Sequence, residues 1–230
     1  MYRCIAIAVG ALLLGGCMES GDDPAGREND AASLYTGTSD GVEVPPQSDR
    51  TFRADGRVGM ITPGMPMAKI ENLYGTGELV SREIEVGEGQ TVPGYALFPN
   101  THDELLIELG EDKQPATVSF SNPRSKWVEE TTGLTIGTTL TELRKMNGKP
   151  FEFTGFGWDY GGTVTDWKGG KLEGILVRLT YAPERLPAEG LDPQLLGDVP
   201  VASNHPAIQS IGMNVREIRI DISKREAELR

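Results

Sequence analysis

The chain carries one stretch twice, as Ile61-Thr-Pro-Gly-Met-Pro-Met-Ala-Lys-Ile-Glu-Asn-Leu-Tyr-Gly75 and as Leu134-Thr-Ile-Gly-Thr-Thr-Leu-Thr-Glu-Leu-Arg-Lys-Met-Asn-Gly148. The second copy follows the first at a constant offset of 73 residues. Three positions are identical, and they are Thr62/Thr135, Gly64/Gly137 and Gly75/Gly148. A constant offset over 15 positions, with matching apolar residues between the identical ones, indicates an internal repeat rather than chance.

Each copy predicts one short amphipathic helix. The apolar residues recur every three positions, which puts them on one face of a helix. They are Met67, Ile70 and Leu73 in the first copy and Leu140, Leu143 and Met146 in the second. Thr139 and Thr141 are both suited to cap the second helix, and Gly75 and Gly148 stand where a left-handed C-cap is expected. Because helices this short are marginal on their own, each must pack on a sheet.

Stretches of β-type sequence follow each helix. They lie at 78–86, 91–98, 105–109 and 116–120 after the first copy, and at 151–156, 158–167, 174–181 and 215–222 after the second. We therefore predict an α+β fold of two tandem repeats, each a short helical segment packed on a three- to four-stranded antiparallel meander sheet. The predicted boundaries are 55–128 for the first repeat, 129–222 for the second with an insertion at 182–214, and 223–230 for a charged tail.

The repeated stretch resembles the short lipoproteins of the SmpA/OmlA type, which are found with the outer-membrane β-barrel assembly machinery. Their signature is a Gly-Met-Thr-like turn, a short helix and a Gly-x-Pro exit. Ile61-Thr-Pro-Gly-Met65 resembles the turn and Gly148-Lys-Pro150 the exit, although neither copy contains both. Over roughly residues 56–222, the pairing of two such units is similar to the tandem fold of the β-lactamase inhibitor protein. This resemblance implies a protein-binding role for a concave sheet.

The N-terminus has the features of a bacterial lipoprotein signal. Arg3 precedes an apolar run at 5–14 that is too short to span a bilayer, and Leu14-Gly-Gly-Cys17 matches a lipobox. We predict a signal peptide at 1–16 and acylation of Cys17, which would make the membrane one partner of the chain. In lipoprotein families without Asp directly after the Cys, the expected location in a Gram-negative cell is the outer membrane, lipid-anchored on the periplasmic side. The acidic stretch at 17–54 predicts a disordered tether.

Composition limits the remaining function classes. The chain has 230 residues, a net charge of −12 and only two histidines, His102 and His205. This acidic balance argues against a nucleic-acid partner, which requires a basic surface. Neither histidine has a Cys, His or Ser at the spacing of a known motif. We therefore predict no cofactor, no metal site and no catalytic residue.

Aromatic residues are concentrated between positions 151 and 167. Phe156, Trp158, Tyr160 and Trp167 are the candidate partner-binding residues, because aromatic side chains anchor interfaces well. Alternate members of the same cluster are also suited to filling the core between sheet and helix. On a regular strand, Trp158 and Tyr160 would share one face, opposite Asp159.

These observations favour a membrane-anchored, non-enzymatic module that binds a protein during assembly or maintenance of the bacterial cell envelope. One alternative is a proteinaceous inhibitor of a hydrolase. A further alternative is a glycan hydrolase in which Asp159 and Asp166 act as acid and base; this requires that both carboxylates face one pocket.

Overall fold

The computed structural model describes residues 38–39, 42–43 and 48–223. In these residues, the α-helices are α1 (Met67–Tyr74) and α2 (Leu140–Asn147). The strands are β1 (Thr38–Ser39), β2 (Val42–Glu43), β3 (Thr51–Phe52), β4 (Leu79–Gly87), β5 (Gln90–Leu97), β6 (Leu105–Leu109), β7 (Pro115–Phe120), β8 (Val128–Glu129), β9 (Glu152–Thr154), β10 (Val164–Asp166), β11 (Ile175–Thr180), β12 (Pro200–Ala202) and β13 (Asn214–Asp221). The α+β class predicted from the sequence is confirmed.

The largest element is a six-stranded antiparallel sheet in the order β11-β13-β7-β6-β5-β4. Successive side chains alternate between its two faces, as in any strand. One face is apolar and joins a single hydrophobic core with Ile70 of α1 and Leu143 of α2, both fully buried. Ile107, Val118 and Ile218 lie on this face. The opposite face carries mainly polar and charged residues.

The second half of the chain departs from the predicted meander. The strands after α2 are divided between two sheets, because β9 pairs with β10 on one side and with β12 on the other, whereas β11 pairs with β13. Strand β12 lies within the predicted insertion at 182–214, so part of that segment is built into a sheet. The predicted strand at 158–167 is reduced to Val164–Asp166, and residues 157–162 form bends and turns.

Local sequence explains the ends of both helices. Thr139 caps α2 in a capping box, in which its hydroxyl accepts from the Glu142 N–H while the Glu142 carboxylate accepts from the Thr139 N–H. Gly148 ends α2 in the left-handed conformation, as predicted, with φ of 82° and ψ of −4°. The prediction was wrong for Gly75, where φ is 93° and ψ is 147°, because the chain turns at once into a short 3-10 helix.

One of the two glycine pairs that are identical in the copies, Gly64 and Gly137, forms matching turns. Gly64 and Gly137 both have positive φ, at 72° and 84°. The Gly64 N–H donates to the Ile222 carbonyl at 2.9 Å, and the Gly137 N–H donates to the Val215 carbonyl at 2.8 Å. The two turns therefore hold opposite ends of β13.

Ordered structure includes part of the predicted tether. Thr51–Phe52 pairs in parallel with β8, and the Phe52 side chain is fully buried against Phe120. Arg57, which is 8% exposed, binds Asp49 and Glu130 at 3.0 Å each. The fold therefore includes residues before position 55, where the first repeat was predicted to start, because the apolar Phe52 belongs to the core.

Candidate functional site

The polar face of the six-stranded sheet forms the floor of an open groove with a cavity volume of about 1430 Å³. Small residues of β7, Thr117 and Ser119, lie in the middle of this floor. Leu106 of β6 and Leu176 of β11 lie to either side, and the Leu176 side chain is 43% exposed. The groove therefore offers two apolar positions on an otherwise polar surface.

The tip of the β4–β5 hairpin closes one side of the groove. Glu88 and Gly89 both have positive φ, which is the geometry of a tight hairpin turn. The Glu88 N–H donates to the Asp159 carboxylate at 2.6 Å. Tyr160 packs on Gly87 so closely that a Cβ at this glycine would lie 2.9 Å from the ring. The hairpin and the 157–162 turn thus meet at the rim.

Arginines and carboxylates form a network across the floor of the groove. Arg219 of β13 reaches over β7 and contacts both carboxylate oxygens of Glu108 at 2.5 and 2.6 Å. This reach is possible because β7 presents only small side chains there. Farther along the sheet, Arg82 of β4 binds Glu104 at 3.0 Å.

Two arginines share the carboxylate of Glu217. Arg178 lies 3.9 Å from it and Arg219 lies 3.7 Å from it, so both contacts are longer than a hydrogen bond. The guanidinium of Arg178 is held instead by backbone carbonyls of the 157–162 turn, donating to Gly161 at 3.2 Å and also to Asp159. The side chain is therefore fixed without using all of its donors.

A β-bulge adds a third arginine to this group. Arg178 is opposite Glu217 and Leu179 is opposite Val215, so Arg216 has no partner residue on β11. Val215 is buried, whereas Arg216 is exposed and lines the groove together with Glu217. The bulge thus directs two consecutive side chains to the polar face.

The groove perturbs the ionisation of two of its residues. Burial raises the pKa of Glu108 above its ordinary value, and the Arg219 guanidinium opposes this shift. Burial lowers the pKa of Arg178 from its ordinary value, and the nearby positive charge of Arg216 acts in the same direction. Both shifts have the same main cause, which is the partial burial of these side chains in the floor.

The structure separates the four predicted aromatic site residues. Phe156 and Trp167 are 6% and 4% exposed, so these two belong to the core rather than to an exposed interface. Trp158 and Tyr160 lie in the 157–162 turn and not on a strand face. Their rings pack edge to face, with 5.4 Å between the ring centroids. Tyr160, which is 38% exposed, lines the groove.

The two carboxylates proposed as an acid–base pair do not share a site. Asp159 lines the groove and binds the hairpin tip. Asp166 lies in an exposed segment, where its carboxylate binds the Lys168 ammonium at 2.8 Å. His102 lines the end of the groove, whereas the ring of His205 accepts from the Ala207 N–H elsewhere in the fold. In the described residues, no group of three or more His, Cys, Asp or Glu side chains is arranged to hold a metal ion.

The arginines were not identified as site residues from the sequence. Their signal was present at 215–222, where Val215 and Ile218 are three residues apart and the alternation of a regular strand therefore breaks. The prediction of a strand at 215–222 does not include this break. The pairing of Glu108 with Arg219 joins residues 111 positions apart, so no local pattern reveals it.

Comparison with known proteins found no match to a family model, a curated protein or a solved structure. Cys17 and the predicted signal peptide lie outside the described residues. Among the residues that are described, no helix has the length and apolar character needed to cross a bilayer.

Proposed function

We propose that this chain is a non-enzymatic protein-binding module of the bacterial cell envelope, anchored to the membrane through Cys17. The observation that carries the proposal is the polar groove on the open face of the six-stranded sheet. Its volume exceeds the 300–1,000 Å³ of typical small-molecule pockets. Its lining combines arginines, an exposed tyrosine and scattered apolar residues, as protein interfaces do.

Site-specific photo-crosslinking tests this function. A photoreactive residue at Leu176, inside the groove, should form an adduct with one protein in intact cells. Leu196 is the matched control, because it is 46% exposed but does not line the groove. An adduct at Leu176 that is absent at Leu196 supports the proposal, whereas equal adducts at both positions, or none at Leu176, contradict it. If the adduct contains a hydrolase whose activity the purified chain suppresses, the binding is inhibitory.

The membrane anchor is proposed from the lipobox. Cells fed labelled palmitate should incorporate the label into the wild-type chain and not into Cys17→Ser. The location expected from the sequence is the periplasmic side of the outer membrane if the cell is Gram-negative. Recovery of the unmodified chain in the soluble periplasmic fraction would argue against both the acylation and this location.

We also propose that the fold arose from two tandem repeats. The proposal is supported by the equal length of α1 and α2, their offset of 73 residues, and the matching turns at Gly64 and Gly137. Because an alanine with positive φ is strained, Gly64→Ala and Gly137→Ala should each lower the free energy of unfolding by about 1–2 kcal/mol. If one substitution is neutral while the other is strongly destabilising, the two turns are not equivalent.

A further inference from the structure

We infer that the cluster formed by Arg178, Arg216 and Arg219, here called the arginine cluster, binds a carboxylate side chain on an extended segment of the partner protein. This inference rests on the proposed function and specifies the chemistry of its partner. The three guanidinium groups face the groove in a chain whose net charge is −12. Three guanidinium groups on neighbouring strands are a local exception to this acidic balance.

The carboxylates near the cluster are shared unequally among its arginines. Glu108 pairs with Arg219, and Glu217 lies near both Arg178 and Arg219. The Asp159 carboxylate also attracts Arg178. Arg216 makes no ion pair with a carboxylate of the described residues. Because Glu217 lies 3.7 and 3.9 Å from its two arginines, their facing donors can still form direct hydrogen bonds to a ligand.

The fixed geometry of the cluster favours binding over a purely structural role. Arg178 is held by carbonyls of the 157–162 turn, and Arg219 is held by Glu108. Donors that are already ordered lose little entropy when they bind, and guanidinium groups suit the planar oxygens of a carboxylate. The bulge that turns Arg216 to the polar face gives this site its third donor.

The rest of the groove favours a carboxylate on a protein over a phosphate. Glu104, Asp159 and Asp221 also line the groove, so a ligand with several negative charges would meet repulsion there. A segment that brings a single carboxylate to the cluster would avoid this repulsion. Leu176 lies directly opposite Arg219 on the neighbouring strand, and it offers an apolar contact beside the cluster. Since alternate residues of an extended peptide face the same side, the segment should carry an acidic residue and an apolar residue two positions apart.

The length of the segment follows from the width of the sheet. Six strands spaced at about 4.8 Å span roughly 24 Å, and an extended chain rises about 3.3 Å per residue. A segment of about seven residues therefore crosses the groove. Charged contacts of this kind weaken as salt rises, because the cluster is open to solvent.

Selection from a random heptapeptide display library tests the inference on the full-length chain. Wild type should enrich peptides with Asp or Glu two positions from an apolar residue, and Arg216→Gln should lose this enrichment. The best selected peptide should bind Arg216→Gln at least about tenfold more weakly than wild type. Arg185→Gln, which removes the same charge outside the groove, should bind it like wild type.

Three results would overturn the inference. They are selection of peptides without acidic residues, acidic enrichment that survives Arg216→Gln, and failure to select any peptide. If no acidic enrichment occurs and wild type binds short-chain phosphatidylglycerol more tightly than Arg216→Gln does, the ligand is a lipid phosphate instead. The crosslinking at Leu176 remains a separate test, so the proposed function can stand when the arginine cluster proves to have another role.

Discussion

The contact between Gly170 and Asn147 gives a stability prediction with a magnitude that the structure determines. A Cβ at Gly170 would lie 1.9 Å from Oδ1 and 2.4 Å from Nδ2 of the Asn147 side chain. Asn147 cannot move aside easily, because it is 1% exposed and donates to the carbonyls of Lys149 at 3.0 Å and Trp167 at 3.1 Å. Gly170→Ala should therefore force apart the end of α2 and the loop before β11.

The expected loss has two parts. Overpacking of a filled interior costs about 1–3 kcal/mol, and the two hydrogen bonds that the Asn147 side chain donates contribute about 1 kcal/mol each. We expect Gly170→Ala to lower the free energy of unfolding by about 3–5 kcal/mol in urea titrations followed by circular dichroism. Gly169→Ala is the matched control, since its Cβ would meet nothing within 4 Å and only its φ of +67° is strained. Its cost should be about 1–2 kcal/mol.

A double variant separates the clash from other effects of the new methyl group. Asn147→Ala is itself destabilising, but it removes the atoms that an alanine at position 170 would meet. The combined loss in Asn147→Ala/Gly170→Ala should thus be smaller than the sum of the single losses by about 3–5 kcal/mol, because the hydrogen bonds are lost only once and the clash is absent. Additive losses, or a Gly170→Ala variant no less stable than Gly169→Ala, would refute the reasoning.

Three further predictions concern single side chains. Thr139→Ala removes the hydroxyl that accepts from the Glu142 N–H and should lower the free energy of unfolding by about 1 kcal/mol in urea titrations. Thr139→Ser keeps a hydroxyl at this position and should therefore retain most of the wild-type stability. Burial raises the pKa of Tyr74 to about 12 from its model-compound value of 10.0. The free energy of unfolding should therefore fall by about 2–3 kcal/mol as pH rises through this interval. Tyr74→Phe should not show this alkaline loss in unfolding titrations at about pH 9 to 12. Burial also raises the pKa of Glu108, so protonation of this carboxylate favours the folded state. The free energy of unfolding should therefore fall as pH rises through that pKa. Glu108→Gln should flatten this dependence in unfolding titrations between about pH 4 and 7.

Local patterns were sufficient to predict the helices and the main hairpin. The spacing of apolar residues places α1 and α2 correctly, because an amphipathic helix requires that period whatever it packs against. The β4–β5 turn at Glu88 and Gly89 falls between the predicted strands at 78–86 and 91–98, and both turn residues have the positive φ of a two-residue hairpin. These features depend on neighbours in the chain, which the sequence shows directly.

The 157–162 turn could not be predicted from periodicity, because its determinant is the lack of a side chain. A Cβ at Gly162 would lie 2.3 Å from the carbonyl oxygen of Leu179, so only glycine allows the turn to approach β11 this closely. The predicted strand at 158–167 instead placed Trp158 and Tyr160 on one face. Glycines at 157, 161 and 162 were the signal against that strand.

The polar character of the groove also bears on the kind of association it supports. Permanent interfaces are usually apolar, since each partner then buries a surface that would be unfavourable in water. Here, charged groups of the polar face already pair within the chain, as Glu108 does with Arg219 and Glu104 with Arg82. Such a surface remains soluble without a partner, and its charges favour fast, weak association. We therefore expect transient, salt-sensitive binding, and the yield of the Leu176 adduct should fall as ionic strength rises.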